Sequence, residues 1–120
     1  MDNKKDIESL IVAPIVVALL KAKSGDLVII ENPEVHLHPK GQRKMGELIS
    51  RAAAGGVQVI VETHSDHLLK GIRLSVKEKV IDKSLTRLNY FYREEKQDKT
   101  IGKYYMLSPL SRHFFPKITN

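Results

Sequence analysis

The stretch LVIIENPEVHLH, residues 27–38, decides how this chain is read. Four consecutive apolar residues, Leu27, Val28, Ile29 and Ile30, run straight into Glu31, Asn32 and Glu34. A short unbroken apolar run fits a strand buried on both faces, as in a parallel sheet covered by helices. Polar groups set where such a strand ends lie at the carboxyl edge of the sheet, where open α/β folds bind their ligands. A second run of the same form follows: residues 57–61 are apolar but for Gln58, and lead into Glu62, Thr63, His64, Ser65 and Asp66. Two strands, each ending in a polar cluster, define a candidate site.

Working outward, Ile7, Leu10, Ile11, Ile15, Ala18 and Leu19 recur at helical spacing, so residues 6–22 read as a helix. Pro14 inside it should kink it or move its start to about residue 13. Ser24, Gly25 and Asp26 form a turn into the first strand, 27–31. Pro39 suits the first turn of a second helix, 39–54, with Met45, Leu48, Ile49 and Ala52 on one face. Gly55 and Gly56 end it. A strand at 57–62 follows. Ser65 is placed to cap a third helix, 66–76, with Leu69, Ile72 and Val76 inward. The aromatic-rich run 88–93 reads as a strand, and 101–107 as its hairpin partner. The order α-β-α-β-α-β-β predicts an α/β layered fold with parallel strands 27–31, 57–62 and 88–93 and an antiparallel hairpin, 88–93/101–107.

At 120 residues the chain has room for a single domain, 1–120. The formal net charge of +6 favours anionic partners such as nucleotide, nucleic acid or acidic protein, and selects none of them. The absence of cysteine excludes disulfides, thiol catalysis and Cys-ligated zinc. The longest apolar run, residues 10–20, is too short to span a bilayer as a helix. The start MDNKKDIES lacks the apolar core of a signal peptide. No membrane contact and a cytoplasmic location are the expectation.

An apolar strand ending in an acid is how nucleotide triphosphatases hold a carboxylate near Mg²⁺, a metal that prefers hard oxygen ligands. Glu31 stands in that place. The neighbouring position normally orients or deprotonates the attacking water, and here it is Asn32, whose amide can bond a water without taking its proton. Glu34 is the nearest alternative base. A capped strand end with solvated acids would give the same pattern.

ENPEVHLHP followed by VIVETHSDHLL resembles the second half of an ABC-type ATPase head. The nearest likeness is to the prokaryotic AAA ATPases grouped with the RecF, SMC and overcoming-lysogenization-defect proteins. LVIIENPE resembles the Walker B strand, HLHPKGQ the D-loop and the helix after it, and VETHS the switch-histidine strand. The resemblance implies a partial P-loop NTPase-like fold with ATP and Mg²⁺ as cofactors. It makes Glu31 the Mg²⁺-side acid and gives Asn32 the water-activating position, with Glu34 as backup base. His38, at the D-loop, would bind the nucleotide together with Thr63 and Ser65, and His64 would contact the γ-phosphate.

Two departures limit this. Such an ATPase grips phosphate with a Gly-rich loop and its lysine, and the chain has none. The run 41–46, GQRKMG, has the glycine spacing, but Glu47 and Leu48 stand where Lys and Ser/Thr belong, inside an amphipathic helix. ESLIVAP, at 8–14, does not supply the ABC signature. The expectation is therefore the C-terminal part of an ATPase head without its Walker A half, able to bind ATP and Mg²⁺ only when complemented. Loss of the P-loop strand would leave a sheet edge unpaired. Either strand 88–93 closes onto 57–62, or the chain forms a homo-oligomer or joins a P-loop-bearing partner.

Two other classes compete. His36, His38, His64 and His67 near Glu31, Glu34, Glu62 and Asp66 could form a Zn²⁺ or Mn²⁺ hydrolase site, although no HExxH helix is present. A non-catalytic interaction module would fold from the same αβ units and act by binding a partner. The basic residues Lys70, Arg73, Lys77, Lys79, Lys83 and Arg87 read first as a solvated face, with DNA contact the weaker reading.

Overall fold

The computed structural model describes residues 3–93, 100–101 and 106–107, with side chains over 10–91. Helix α1 spans Asn3–Lys21, and strand β1, Leu27–Glu31, follows it. Helix α2, Pro39–Ala54, connects β1 to strand β2, Gln58–Glu62. Helix α3, Asp66–Lys77, leads through a 3₁₀ turn at Lys83–Leu85 to the short strand β3, Thr86–Arg87. Three further short strands follow: β4, Tyr92–Arg93, β5, Thr100–Ile101, and β6, Met106–Leu107.

Strands β1 and β2 are parallel and in register from Leu27 opposite Gln58 to Glu31 opposite Glu62. Their inward residues meet α2 and α3 in one core of Ile30, Val59, Val61, Met45, Ile49 and Leu68. The strands are not buried on both faces, as the apolar run suggested. Leu27 and Ile29 are 54% and 65% exposed, because the described helices cover the other face, where Val28 and Ile30 point.

Helices α2 and α3 meet at two glycines. A Cβ on Gly46 would overlap the Leu68 carbonyl oxygen, and one on Gly71 would overlap the Arg43 carbonyl oxygen. Removing the side chains lets the two backbones approach closely. Gly46 therefore has a packing role, and the glycine-spaced run 41–46 lies within α2.

The C-terminal part departs from expectation. The larger sheet has the order β1-β2-β6-β3, so β6, not residues 88–93, lies beside β2, and it runs antiparallel. The third parallel strand expected at 88–93 is absent: residues 88–91 are not strand, and β4 pairs with β5 in a separate two-stranded sheet. Of the expected hairpin 88–93/101–107, the described residues show the antiparallel pairs Tyr92 with Ile101 and Arg93 with Thr100, whereas Met106–Leu107 pairs with β2 and β3. Aromatic content marked 88–93 as strand-forming, whereas an open edge on β2 is satisfied by whichever segment reaches it.

Helix α1 runs through Pro14 from Asn3 to Lys21 and does not begin near residue 13. It buries Leu19, with Val12, Ile15 and Val16 half-buried, while Leu10 and Ile11 are exposed. From Leu10 to Leu20 nearly every residue of this helix is apolar, so periodicity alone could not choose its inner face. On α3 the deepest residues are Leu68, Gly71 and Ser75, with Ile72 and Val76 beside them against the core.

Candidate functional site

The parallel register of β1 and β2 brings their carboxyl ends together. Glu31 lies opposite Glu62, and neighbouring strands run about 4.8 Å apart. Both carboxylates stand on the exposed face of the sheet. His64 Nε2 is 4.0 Å from Glu62 Oε1, with both side chains largely exposed. Glu31 and His64 thus flank Glu62 at one rim. Glu62 is the member that sequence reading left in the background; its sign was the matching position at the end of the second apolar run.

Asn32 leaves β1 with φ +45°, in the left-handed region. Asparagine visits that region more readily than most residues. Its N–H donates to the Glu62 carbonyl at 2.9 Å, extending the ladder one step beyond β1. Asn32 therefore has a backbone reason to stand here, independent of any water. Residues 33–36 then turn, with Val35 N–H donating to Asn32 O and Leu37 N–H to Glu34 O.

Glu34 is 8% exposed. Its Oε1 accepts from the His64 N–H at 2.8 Å, and among the described residues its buried Oε2 has no hydrogen-bond partner. Gln42, from the first turns of α2, completes a bridge. Its Nε2 donates to Leu37 O at 2.9 Å and to Glu34 O at 3.3 Å. Its Oε1 accepts from Ser65 Oγ at 2.6 Å. Gln42 was not singled out in the sequence beyond its place in HLHPKGQ, because a glutamine at a helix start carries no distinctive pattern.

Ser65 caps α3, as its position predicted: its Oγ accepts from Leu68 N–H at 3.0 Å. With one bond donated and one accepted at 7% exposure, that hydroxyl is committed within the protein. Thr63 Oγ1 accepts from Ser65 N–H at 3.1 Å. His38 is exposed and precedes α2, without a side-chain cap bond. Replacing Ser65 with alanine removes the cap and strands Gln42 Oε1, so a loss of about 1–2 kcal/mol is expected in urea unfolding. An unchanged midpoint would contradict this cap.

A cleft of about 900 Å³ opens beside this rim, lined among others by Glu62, Thr63, His64, Asp66, Arg73 and Tyr90. Beneath it an apolar hollow of about 300 Å³ lies between Val59, Val61, Leu68, Ile72, Val76 and Leu88. Among the described residues no three His, Asp or Glu side chains come together as a metal cage. The His–carboxylate hydrolase reading lacks that support. Glu31 and Glu62, as paired oxygen donors on one rim, suit a partly hydrated Mg²⁺. The 120 residues hold no Gly-rich loop ending in Lys-Ser/Thr.

The family described as "AAA domain, putative AbiEii toxin, Type IV TA system" matches residues 9–70, more than half of the chain, and the chain belongs to this AAA family. The matched segment carries both strand ends and Gln42. Among characterised proteins, the chain is similar to the Old nuclease of Escherichia phage P2, at 38% identity over 47 residues. That match covers 39% of this chain and 8% of the phage protein's length. No solved structure matches the chain. Among the described residues no helix is long and apolar enough to cross a membrane.

Proposed function

We propose that this chain supplies the Walker B and switch-histidine rims of an ABC-type ATP site whose phosphate grip comes from a second, P-loop-bearing chain. The observation that carries the reading is the parallel register that sets Glu31 opposite Glu62 and puts His64 beside them. In this reading Glu31, assisted by Glu62, holds the Mg²⁺ side, and the ion supplies charge neutralisation for the phosphates. His64 reaches the γ-phosphate from an exposed position. Asn32 orients the attacking water through its amide, and His38 stands at the D-loop facing the partner.

Calorimetry with ATP and Mg²⁺ on the purified chain tests the missing grip. Carboxylates and a histidine without a phosphate loop are expected to give no binding tighter than about 1 mM, the affinity worth about 4 kcal/mol. Micromolar binding would overturn the reading.

A second reading, a non-catalytic interaction module, draws on the apolar surface. Leu10 and Leu20 on α1 are 75% and 69% exposed, and Leu27 and Ile29 on β1 are also open. A contiguous patch built from such side chains would serve as a contact surface. It accommodates either a P-loop-bearing chain or a second copy of this one. Stable association without nucleotide turnover in any combination would favour the module. The edge of β2 gives no separate reason for pairing, because β6 occupies it.

A further inference from the structure

We propose that Glu34 and Gln42 are positioning residues that root His64, with Glu34 acting as a hydrogen-bond acceptor and not as a base. The root itself is independent of the ATP-site reading; what His64 does once rooted rests on it.

Glu34 and His64 lie thirty residues apart in sequence, on the loops that leave the two parallel strands, and the 2.8 Å bond from His64 N–H to Glu34 Oε1 joins those loops. The His64 imidazole is 82% exposed, so side-chain packing does little to fix it. Its backbone is held from both sides. Glu34 takes its N–H, and Gln42 takes the hydroxyl of the next residue, Ser65. Gln42 is tied in turn to the Leu37 and Glu34 carbonyls. Any shift of the turn after Glu31 is thereby passed to the root of His64. The acid rim and the histidine rim move as one unit.

A general base must reach the water whose proton it takes. Glu34 does not: it is 8% exposed, and its second oxygen is buried with no hydrogen-bond partner among the described residues. Its place beside the N-terminus of α3 suits a carboxylate, since the helix end carries partial positive charge. One bond to a backbone N–H at a helix start is what an acceptor does.

The test separates an acceptor from a base. Glu34→Gln keeps an oxygen for the His64 N–H and removes the basic carboxylate; Glu34→Ala removes both. Amide hydrogen exchange is followed by NMR on the ¹⁵N-labelled chain. His64 exchange in Glu34→Gln is expected to stay within about threefold of the parent chain. In Glu34→Ala it should rise about tenfold or more, as the loss of one hydrogen bond predicts. Val59 and Val61 should be unchanged in both, marking the effect as local. Gln42→Ala should speed His64 exchange in the same direction while leaving those core amides alone. Equal acceleration in Glu34→Gln and Glu34→Ala, or none in Glu34→Ala, would overturn the root.

The second readout is ATP turnover after mixing with a P-loop-bearing chain. Glu34→Gln is expected to keep turnover within about tenfold. A loss of a hundredfold or more with His64 exchange intact would return Glu34 to the role of base. Should the mixture show no turnover even with the parent chain, the ATP-site reading fails, and the exchange measurement still decides the root.

Discussion

Alanine in place of Gly71 is expected to destabilise the domain by about 3 kcal/mol, the upper end of over-packing costs, and Gly46→Ala should do nearly as much. Both substitutions improve intrinsic helix propensity by up to about 1 kcal/mol, so the sign of the result is informative. Ordinary helix statistics predict stabilisation. The crossing of α2 and α3 predicts the reverse, because the added methyl meets the backbone carbonyl oxygen of Arg43 in one case and of Leu68 in the other. A flexible side chain could rotate away; a carbonyl within a helix cannot move without displacing its turn. The helices would have to separate, opening the core around Ile49 and Leu68, both at 0% exposure. The two sites share one contact, so the double substitution should cost less than the sum. Urea midpoints by circular dichroism measure this. A raised midpoint in either variant would mean that the helices do not cross at the glycines.

The second large effect concerns chemistry. With ATP turnover restored by a P-loop-bearing chain, Glu31→Gln and His64→Ala are each expected to lower kcat by about a hundredfold. That is the scale of losing one charge-stabilising group aimed at a reacting centre. Glu31→Gln keeps the size of the side chain but gives up the charge that the proposed Mg²⁺ site would use, so its effect should be partly recovered at raised Mg²⁺. His64→Ala should show no such recovery. Glu62→Gln should fall between the parent and Glu31→Gln, since the two carboxylates share the rim. Turnover unchanged by Glu31→Gln would remove the acid from the metal side.

Much of this architecture was legible because its signals are local. The apolar run 27–30 and its polar end announced β1 and the rim, Pro39 announced the start of α2, and Ser65 announced the cap of α3. What escaped was set by tertiary contact. The partner of β2 proved to be Met106–Leu107, a choice made by chain reach and edge satisfaction that no composition encodes. The inner face of α1 was ambiguous because nearly every residue from Leu10 to Leu20 is apolar. The tie between Glu34 and His64 crosses thirty residues; the sequence offered only a carboxylate past a proline, which suggests a base as readily as an anchor. The place of Asn32 beside Glu31 suggests a water-orienting amide, and its left-handed backbone sets a constraint on that position besides.

ATP turnover assayed on this chain alone, on a P-loop-bearing chain alone, and on the two mixed decides whether the rim lacks a grip of its own. Hydrolysis is expected in the mixture, with neither chain active by itself. Steady hydrolysis by the isolated chain, abolished by Glu31→Gln, would contradict it.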